Sequence, residues 1–165
     1  MDLIAFYSGT GRDAAGRRLQ DIWRFSFEEL EENHDYIQWL FPLMERSAFN
    51  PRAPILDAAA IERFQSVDGL KKNLERSLEV MLEFYGLEVA GDRIVRASSF
   101  VGRSGNWLTS FNHNFLRLTR ILKSLSLLGL EPRAAQLFAC LEEIYATHQR
   151  VIGERTMSFW RKAVE

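Results

Sequence analysis

Only one cysteine, Cys140, occurs in the 165 residues. An intramolecular disulfide is excluded, as is a zinc site built from thiolates alone, and a chain without a disulfide framework points to a reducing, cytoplasmic setting. Charge of one sign is missing as well: 21 Lys and Arg stand against 22 Asp and Glu, a formal net charge of −1. Without a global basic field to draw in a phosphate backbone, no nucleic-acid partner is expected. No apolar run approaches the roughly 18 residues that a membrane span requires. The opening MDLIAFYSG places an acid, not a basic region, before its short apolar stretch, so it does not read as a secretory signal. Repeats, low-complexity tracts and long Gly/Ser linkers are also lacking, and the chain reads as a single domain over residues 1–165.

Chemical signatures are equally sparse. GTGRDAAG at 9–16 fits neither the P-loop nor the dinucleotide glycine pattern, and no GxSxG nucleophile motif occurs. His34, His113 and His148 match no HExxH-type spacing, so neither a metal nor a cofactor is expected.

What the chain does hold is apolar material, 47% hydrophobic and 12% aromatic. A domain of this size buries roughly 70% of its unfolded surface, enough for one well-filled core. Cys140, inside LFACLEEIY, belongs to that core. Residues 17–32 alternate apolar and charged positions at helical spacing, with Ser26 and Glu29 in a capping-box arrangement where a helical turn restarts. Leu30, His34, Ile37 and Phe41 keep that spacing, so a helix running on to Pro42 would carry His34 on its apolar face. NPRAPILD is an extended loop ending at Asp57, the N-cap of a short helix reaching about Phe64. The clearest amphipathic helix runs from Asp68 to a stop at Gly86, with Leu70, Leu74, Leu78, Met81, Leu82 and Tyr85 inward.

Residues 87–96 change character around Gly91-Asp92 and suggest a small β-hairpin, and SSFVGRSGNW reads as loop. A helix over 110–128 ends at Gly129; Pro132 opens another that buries Leu137, Phe138, Leu141, Ile144 and Tyr145, and a last turn packs Met157 and Trp160. The expected fold is all-α, one compact bundle of about six or seven helices with the hairpin near 87–96 as its only sheet.

On a helical wheel of about 100° per residue, SFNHNFLRLTRILKSLSLLG carries three faces. Phe111, Phe115, Leu118, Leu122 and Leu125 form an apolar stripe, and Asn112, Thr119, Lys123 and Ser126 form a solvent side. His113, Arg117, Arg120 and Ser124 share a third, narrow face between leucines and isoleucine. A helix that already has a wet side does not need arginines between leucines for solubility. Those cations face a partner: either an internal acid such as Asp35, Asp21 or Glu31, or the anionic end of a ligand, since guanidinium presents a planar fork to carboxylate and phosphate.

Several blocks, DAAGRRLQDIW (13–23), LEENHDYIQWLFPLMERSAFNPRAPIL (30–56), MLEFYGL (81–87) and HNFLRLTRILKSLSLLGLE (113–131), resemble the conserved domain of the opioid growth factor receptor family. The likeness covers roughly residues 12–132. It implies, for the animal members, a receptor for met-enkephalin that restrains proliferation near and in the nucleus. This shorter chain, with neither a repeat-bearing tail nor a Lys/Arg-rich run, reads as a compact free-standing member, bacterial origin being one expectation, whose ligand need not be an opioid.

The same blocks supply the candidate ligand-binding residues: His34, Asp35, Gln38 and Trp39 from one, His113, Asn114, Arg117 and Arg120 from the other. The leading expectation is a binding module with a His/Arg-lined cleft for an anionic small molecule or peptide. One alternative is a hydrolase-like enzyme using His34 or His113 as acid-base with the two arginines on a phosphate- or carboxylate-bearing substrate. A structural or protein-interaction domain is the other.

Overall fold

The computed structural model describes residues 2–165. They fold into two compact units, one up to Ser77 and one from Leu78 onward, the boundary falling inside a single helix.

In the first unit α1 (Leu3–Tyr7), α2 (Leu19–Trp23), α3 (Phe27–Glu32), α4 (Ile37–Leu40) and α5 (Ala58–Ser66) precede α6 (Asp68–Tyr85). Capping residues set the starts. Ser26 accepts from the Glu29 amide while Glu29 answers to the Ser26 amide, the expected capping box, and Asp57 accepts from Ala60 N at 2.8 Å. Aromatic rings meet edge-on in this core: Phe6 meets Trp39 with ring centroids 5.1 Å apart, and Tyr7 meets Phe64 at 5.0 Å.

The Tyr7, Ser77 and Trp23 polar groups of this unit are matched to one another. The Tyr7 hydroxyl donates to the Leu40 carbonyl at 2.6 Å and shares a 2.9 Å bond with Ser77 Oγ, which also accepts from Trp23 Nε1 at 3.0 Å. Burial pushes the Tyr7 hydroxyl far above its ordinary pKa, against a smaller opposing effect of the Ser77 bond. Asn73 Nδ2 donates to the Tyr7 carbonyl at 2.7 Å.

The second unit holds the end of α6, a hairpin of β1 (Leu87–Ala90) and β2 (Arg93–Arg96), and α7 (Phe100–Ser104), α8 (Asn114–Leu127), α9 (Glu131–Thr147) and α10 (Gln149–Ala163). The strands are antiparallel, with Ala90 opposite Arg93 across the Gly91-Asp92 turn and Leu87 opposite Arg96. Gly86 ends α6 in the left-handed region at φ 79°, where an L side chain is strained. β2 packs on α9, and α8, α9 and α10 pack on one another. Their buried residues include Leu118, Leu122, Leu125, Leu137, Leu141, Ile144, Met157 and Trp160. Cys140 lies among them, and burial, reinforced by Glu143, lifts its thiol from an ordinary 9.0 to about 11. At Gly153, φ 81° and ψ 153° interrupt α10.

The helical class and the hairpin are as the sequence predicts, while several boundaries differ. Ten helices form among the described residues, because short ones were unforeseen, α1 and, within the expected loop, α7, while the restart at Ser26 that divides 17–32 into α2 and α3 is as the sequence predicts. The helix expected to carry on through His34 stops at Glu32, where Asn33 turns extended at ψ 133°. Phe138 and Tyr145 are half-buried, at the margin of the α9 face, rather than inside it.

Candidate functional site

The candidate residues divide between the two units. In the first, His34 and Asp35 occupy the link between α3 and α4 and are exposed, whereas Gln38 and Trp39 lie on α4 and are buried. His34 therefore does not sit on an apolar helix face: the helix that would have carried it ends two residues earlier. Arg17 holds the link. Its guanidinium contacts Asp13 at 2.7 Å and Asp35 at 2.9 Å, and Asp13 is fully buried while Asp35 keeps about half its side chain in water. The same guanidinium lies over the Phe25 ring, 5.6 Å from its centroid.

Asp13 is itself fixed, accepting from the amides of Ala15 and Arg17 at 3.0 and 2.8 Å. Gln38 donates to the His34 carbonyl at 3.1 Å and accepts from Asn50 Nδ2 at 3.2 Å. The NPRAP loop is thereby tied to α4, and Arg52 extends the tie by donating to the Ala14 carbonyl at 2.6 Å. Trp39 is 1% exposed, edge-on to Phe6, and its indole N–H meets no protein acceptor. Asp35, expected from sequence as a candidate partner for the α8 arginines, gives its carboxylate to Arg17.

In the second unit α8 organises the other four. His113 is the N-cap residue and is exposed. Asn114 is fully buried, Arg117 is 5% exposed and Ser124 is fully buried, while Arg120 is half-buried. Apart from His113, the polar face read from the wheel is thus turned inward, between Ile121 and Leu128, both buried, and Leu116, which is 60% exposed. Asn114 Oδ1 accepts from the Tyr85 hydroxyl at 3.2 Å and from Arg117 Nη1 at 3.4 Å. Tyr85 is braced in turn, its ring 5.2 Å from that of Trp107, whose indole donates to the Tyr85 carbonyl at 3.0 Å.

The start of α8 departs from expectation. Asn112 Nδ2 donates to the Asn106 carbonyl at 3.2 Å and Thr109 Oγ1 at 2.9 Å, and its Oδ1 accepts from the Asn114 amide at 2.9 Å. This knot delays the helix to Asn114. Phe111, off the helix, leaves the apolar stripe: it is fully exposed, with φ 60°. Phe115, Leu118, Leu122 and Leu125 keep their inward places.

Sequence reasoning passed over Arg17, Asn50 and Tyr85, which position the candidates. Arg17 sits in an unremarkable RR pair and Tyr85 on an apolar stripe, so nothing local marked them. Asn50 had one signal, its place before Pro51 in a loop that must satisfy its own backbone. Among the described residues no three His, Cys, Asp or Glu side chains gather as metal donors, and no helix is long and apolar enough to cross a membrane.

The opioid growth factor receptor (OGFr) conserved region matches residues 10–165, so the family's conserved segment runs on through α9 and α10, beyond the blocks that end near residue 132. The chain is 44% identical over 142 residues to the opioid growth factor receptor of Mus musculus, covering 81% of this chain and 22% of that protein. It is 42% identical over 146 residues to the Homo sapiens receptor, 83% and 21% of the respective chains. Against opioid growth factor receptor-like protein 1 of Mus musculus it is 40% identical over 115 residues, 66% and 24%. The chain thus spans less than a quarter of the length of these relatives. No solved structure matches it. With the family's conserved region covering both units and nearly the whole sequence, the chain belongs to the opioid growth factor receptor family.

Proposed function

We propose that this chain is a receptor-type binding domain that takes the anionic end of a small molecule or peptide on the α8 face carrying His113, Asn114, Arg117 and Arg120. The observation that carries the reading is the placement of Arg117: a guanidinium 5% exposed on a helix whose Thr119, Lys123 and Ser126 already meet water. The Tyr85–Asn114 pair aims one edge of that guanidinium, and a carboxylate or phosphate matches the geometry of the fork. The relatives are named as receptors for an opioid growth factor, which supports a peptide as the ligand class. His34 and Asp35, exposed on the first unit and backed by Gln38 and Trp39, form a separate candidate contact set.

The test is isothermal titration with met-enkephalin bearing a free C-terminal carboxylate and with its C-terminal amide. The acid should bind, the amide should bind at least tenfold more weakly, and Arg120→Ala should erase the difference. Equal affinity for acid and amide, or no binding of either, would overturn the reading. So would unfolding of both Arg117→Ala and Arg120→Ala, which would make the stripe internal glue.

A further inference from the structure

The loop between α4 and α5 closes on itself. The Leu56 amide donates to the Leu43 carbonyl at 2.8 Å, bringing the two ends together as in an Ω-loop. Inside it, Ser47 Oγ accepts from the amides of Phe49 and Asn50 at 3.3 and 3.1 Å, and Asn50 Oδ1 accepts from the Arg52 amide at 3.1 Å. Two ties hold it to its surroundings, Asn50 Nδ2 on the buried Gln38 and the Arg52 guanidinium on the Ala14 carbonyl. Polar bonds thus set the shape of its middle, residues 47–52.

Three of its apolar side chains face water. Phe49 is 84% exposed, Met44 52% and Ile55 46%. Exposed arginines accompany them. Arg12 donates to the Gly16 carbonyl at 2.8 Å and Arg52 to the Ala14 carbonyl at 2.6 Å, so both guanidinium groups lie on the one turn that the Gly16 amide closes on the Asp13 carbonyl. Arg46 belongs to the loop itself. None of Arg12, Arg46 and Arg52 has a carboxylate partner among the described residues, whereas Asp13 and Asp35 are both held by Arg17. Glu45 is the single acid within residues 43–56, so cations prevail on this face.

We infer that this loop and the turn beside it form a docking face for an acidic segment of a partner protein, with carboxylates on Arg12, Arg46 and Arg52 and an apolar side chain against Phe49. Aromatic residues, Met and Arg are the types enriched where proteins meet. Arginine clusters recognise acidic motifs because each guanidinium offers a planar fork to a carboxylate. The loop is ordered by its own bonds, so a partner does not have to fix it on binding. Charge decides the occupant: unpaired cations around an exposed aromatic call for carboxylates around an apolar residue. A bilayer is a poorer match. Met44 and Ile55 adjoin the closing bond at the base while Phe49 lies midway, so the apolar groups are strung along the loop and not gathered at a tip. The face belongs to the first unit and does not depend on the α8 reading.

The probe is a capped hexapeptide of four glutamates around a central Leu-Leu pair, titrated into the whole chain while chemical shifts are followed. The largest shifts should fall within residues 44–55 and at Arg12. A peptide with Gln in place of Glu, and one with Gly-Gly in place of Leu-Leu, should each bind at least about tenfold more weakly. Phe49→Ser and Arg46→Glu should each weaken the Glu/Leu peptide by a similar factor with the melting temperature unchanged, since Phe49 is mostly in water and the Arg46 guanidinium bonds to nothing among the described residues. Absence of binding at millimolar peptide, shifts confined to other residues, or full affinity in both variants would overturn the inference. Binding to phosphatidylserine vesicles without binding to the peptide would overturn it too, making the loop a membrane contact. Should either substitution loosen the loop, the unaltered chain decides: contacts between the peptide leucine methyls and the Phe49 ring, read as intermolecular nuclear Overhauser effects, are expected, and their absence counts against the site.

Discussion

Three glycines of the second unit make the packing around the hairpin measurable. At Gly86 an added Cβ would stand 2.7 Å from Phe100 Cα and 3.0 Å from Arg103 Cβ, at φ +79°. Neither neighbour is the far end of a flexible side chain, so α7 itself must give way by about 1 Å to restore a normal carbon contact. The left-handed backbone costs an L residue roughly 1–2 kcal/mol, and overpacking against backbone adds about 1–3 kcal/mol. Loss of unfolded-state freedom returns about 0.4–1 kcal/mol. Gly86→Ala should therefore destabilise by about 2–4 kcal/mol, a large part of the roughly 5–15 kcal/mol that holds an ordinary domain together.

Gly91, at φ +64° with nothing within 4 Å of the new carbon, isolates the backbone contribution, and Gly91→Ala should cost only about 0.5–1 kcal/mol. Gly105 has φ −61° and ψ −21° and open space around it, so Gly105→Ala should stabilise by about 0.4–1 kcal/mol. Urea titration of the three variants side by side checks the order. If Gly86→Ala costs no more than Gly91→Ala, the close approach of α7 to the end of α6 is wrong.

Three further perturbations test other parts of the molecule. Arg17→Met strands the fully buried Asp13 carboxylate without its counterion and should cost about 3–5 kcal/mol in urea unfolding; a loss under about 1 kcal/mol would mean that the Asp13 amide bonds suffice. Raising the Cys140 thiol from 9.0 to about 11 gives stability that is complete below pH 9, falls as pH climbs through the folded value, and then levels off. At pH 10.5 the chain should have lost about 2 kcal/mol that Cys140→Val does not lose, and parallel stability curves for the two would refute the burial argument. Phe111→Asn relieves a left-handed aromatic that touches nothing, Phe111 being fully exposed at φ 60°, and should raise stability by about 0.5–1 kcal/mol; a fall in melting temperature would show that the ring packs.

Periodicity found the long elements, because α6, α8 and α9 are amphipathic over several turns, and side chains of one face must repeat wherever a helix lies on a core. It also found the capping box at Ser26 and the hairpin turn, both decided by neighbours in sequence. It failed where a distant or irregular bond sets the backbone. Phe111 obeyed the helical spacing on paper, yet Asn112 knots the preceding loop and postpones the helix. His34 obeyed it too, while Asn33 turned extended and Arg17 drew Asp35 aside. The inward tilt of the α8 stripe was legible as polar residues between apolar ones, but its supports were not: Tyr85 reaches Asn114 across 29 positions of chain, a separation that no local pattern records.

The bonds that seat α1 have a consequence in time. Asn73 reaches the Tyr7 carbonyl across 66 positions and Ser77 reaches the Tyr7 hydroxyl across 70, whereas Arg17 joins Asp13 and Asp35 over only 4 and 18. Short loops close first and long ones wait for their far end. During synthesis the Arg17 clasp can form while α6 is still unmade, but α1, although made before both, lacks its bonds to Asn73 and Ser77 until residue 77 has followed it. Although made before the other helices of its unit, α1 is thus among the last of them to be fixed, and its apolar Leu3, Phe6 and Tyr7, all buried in the finished fold, are the surface that a nascent chain would show to chaperones.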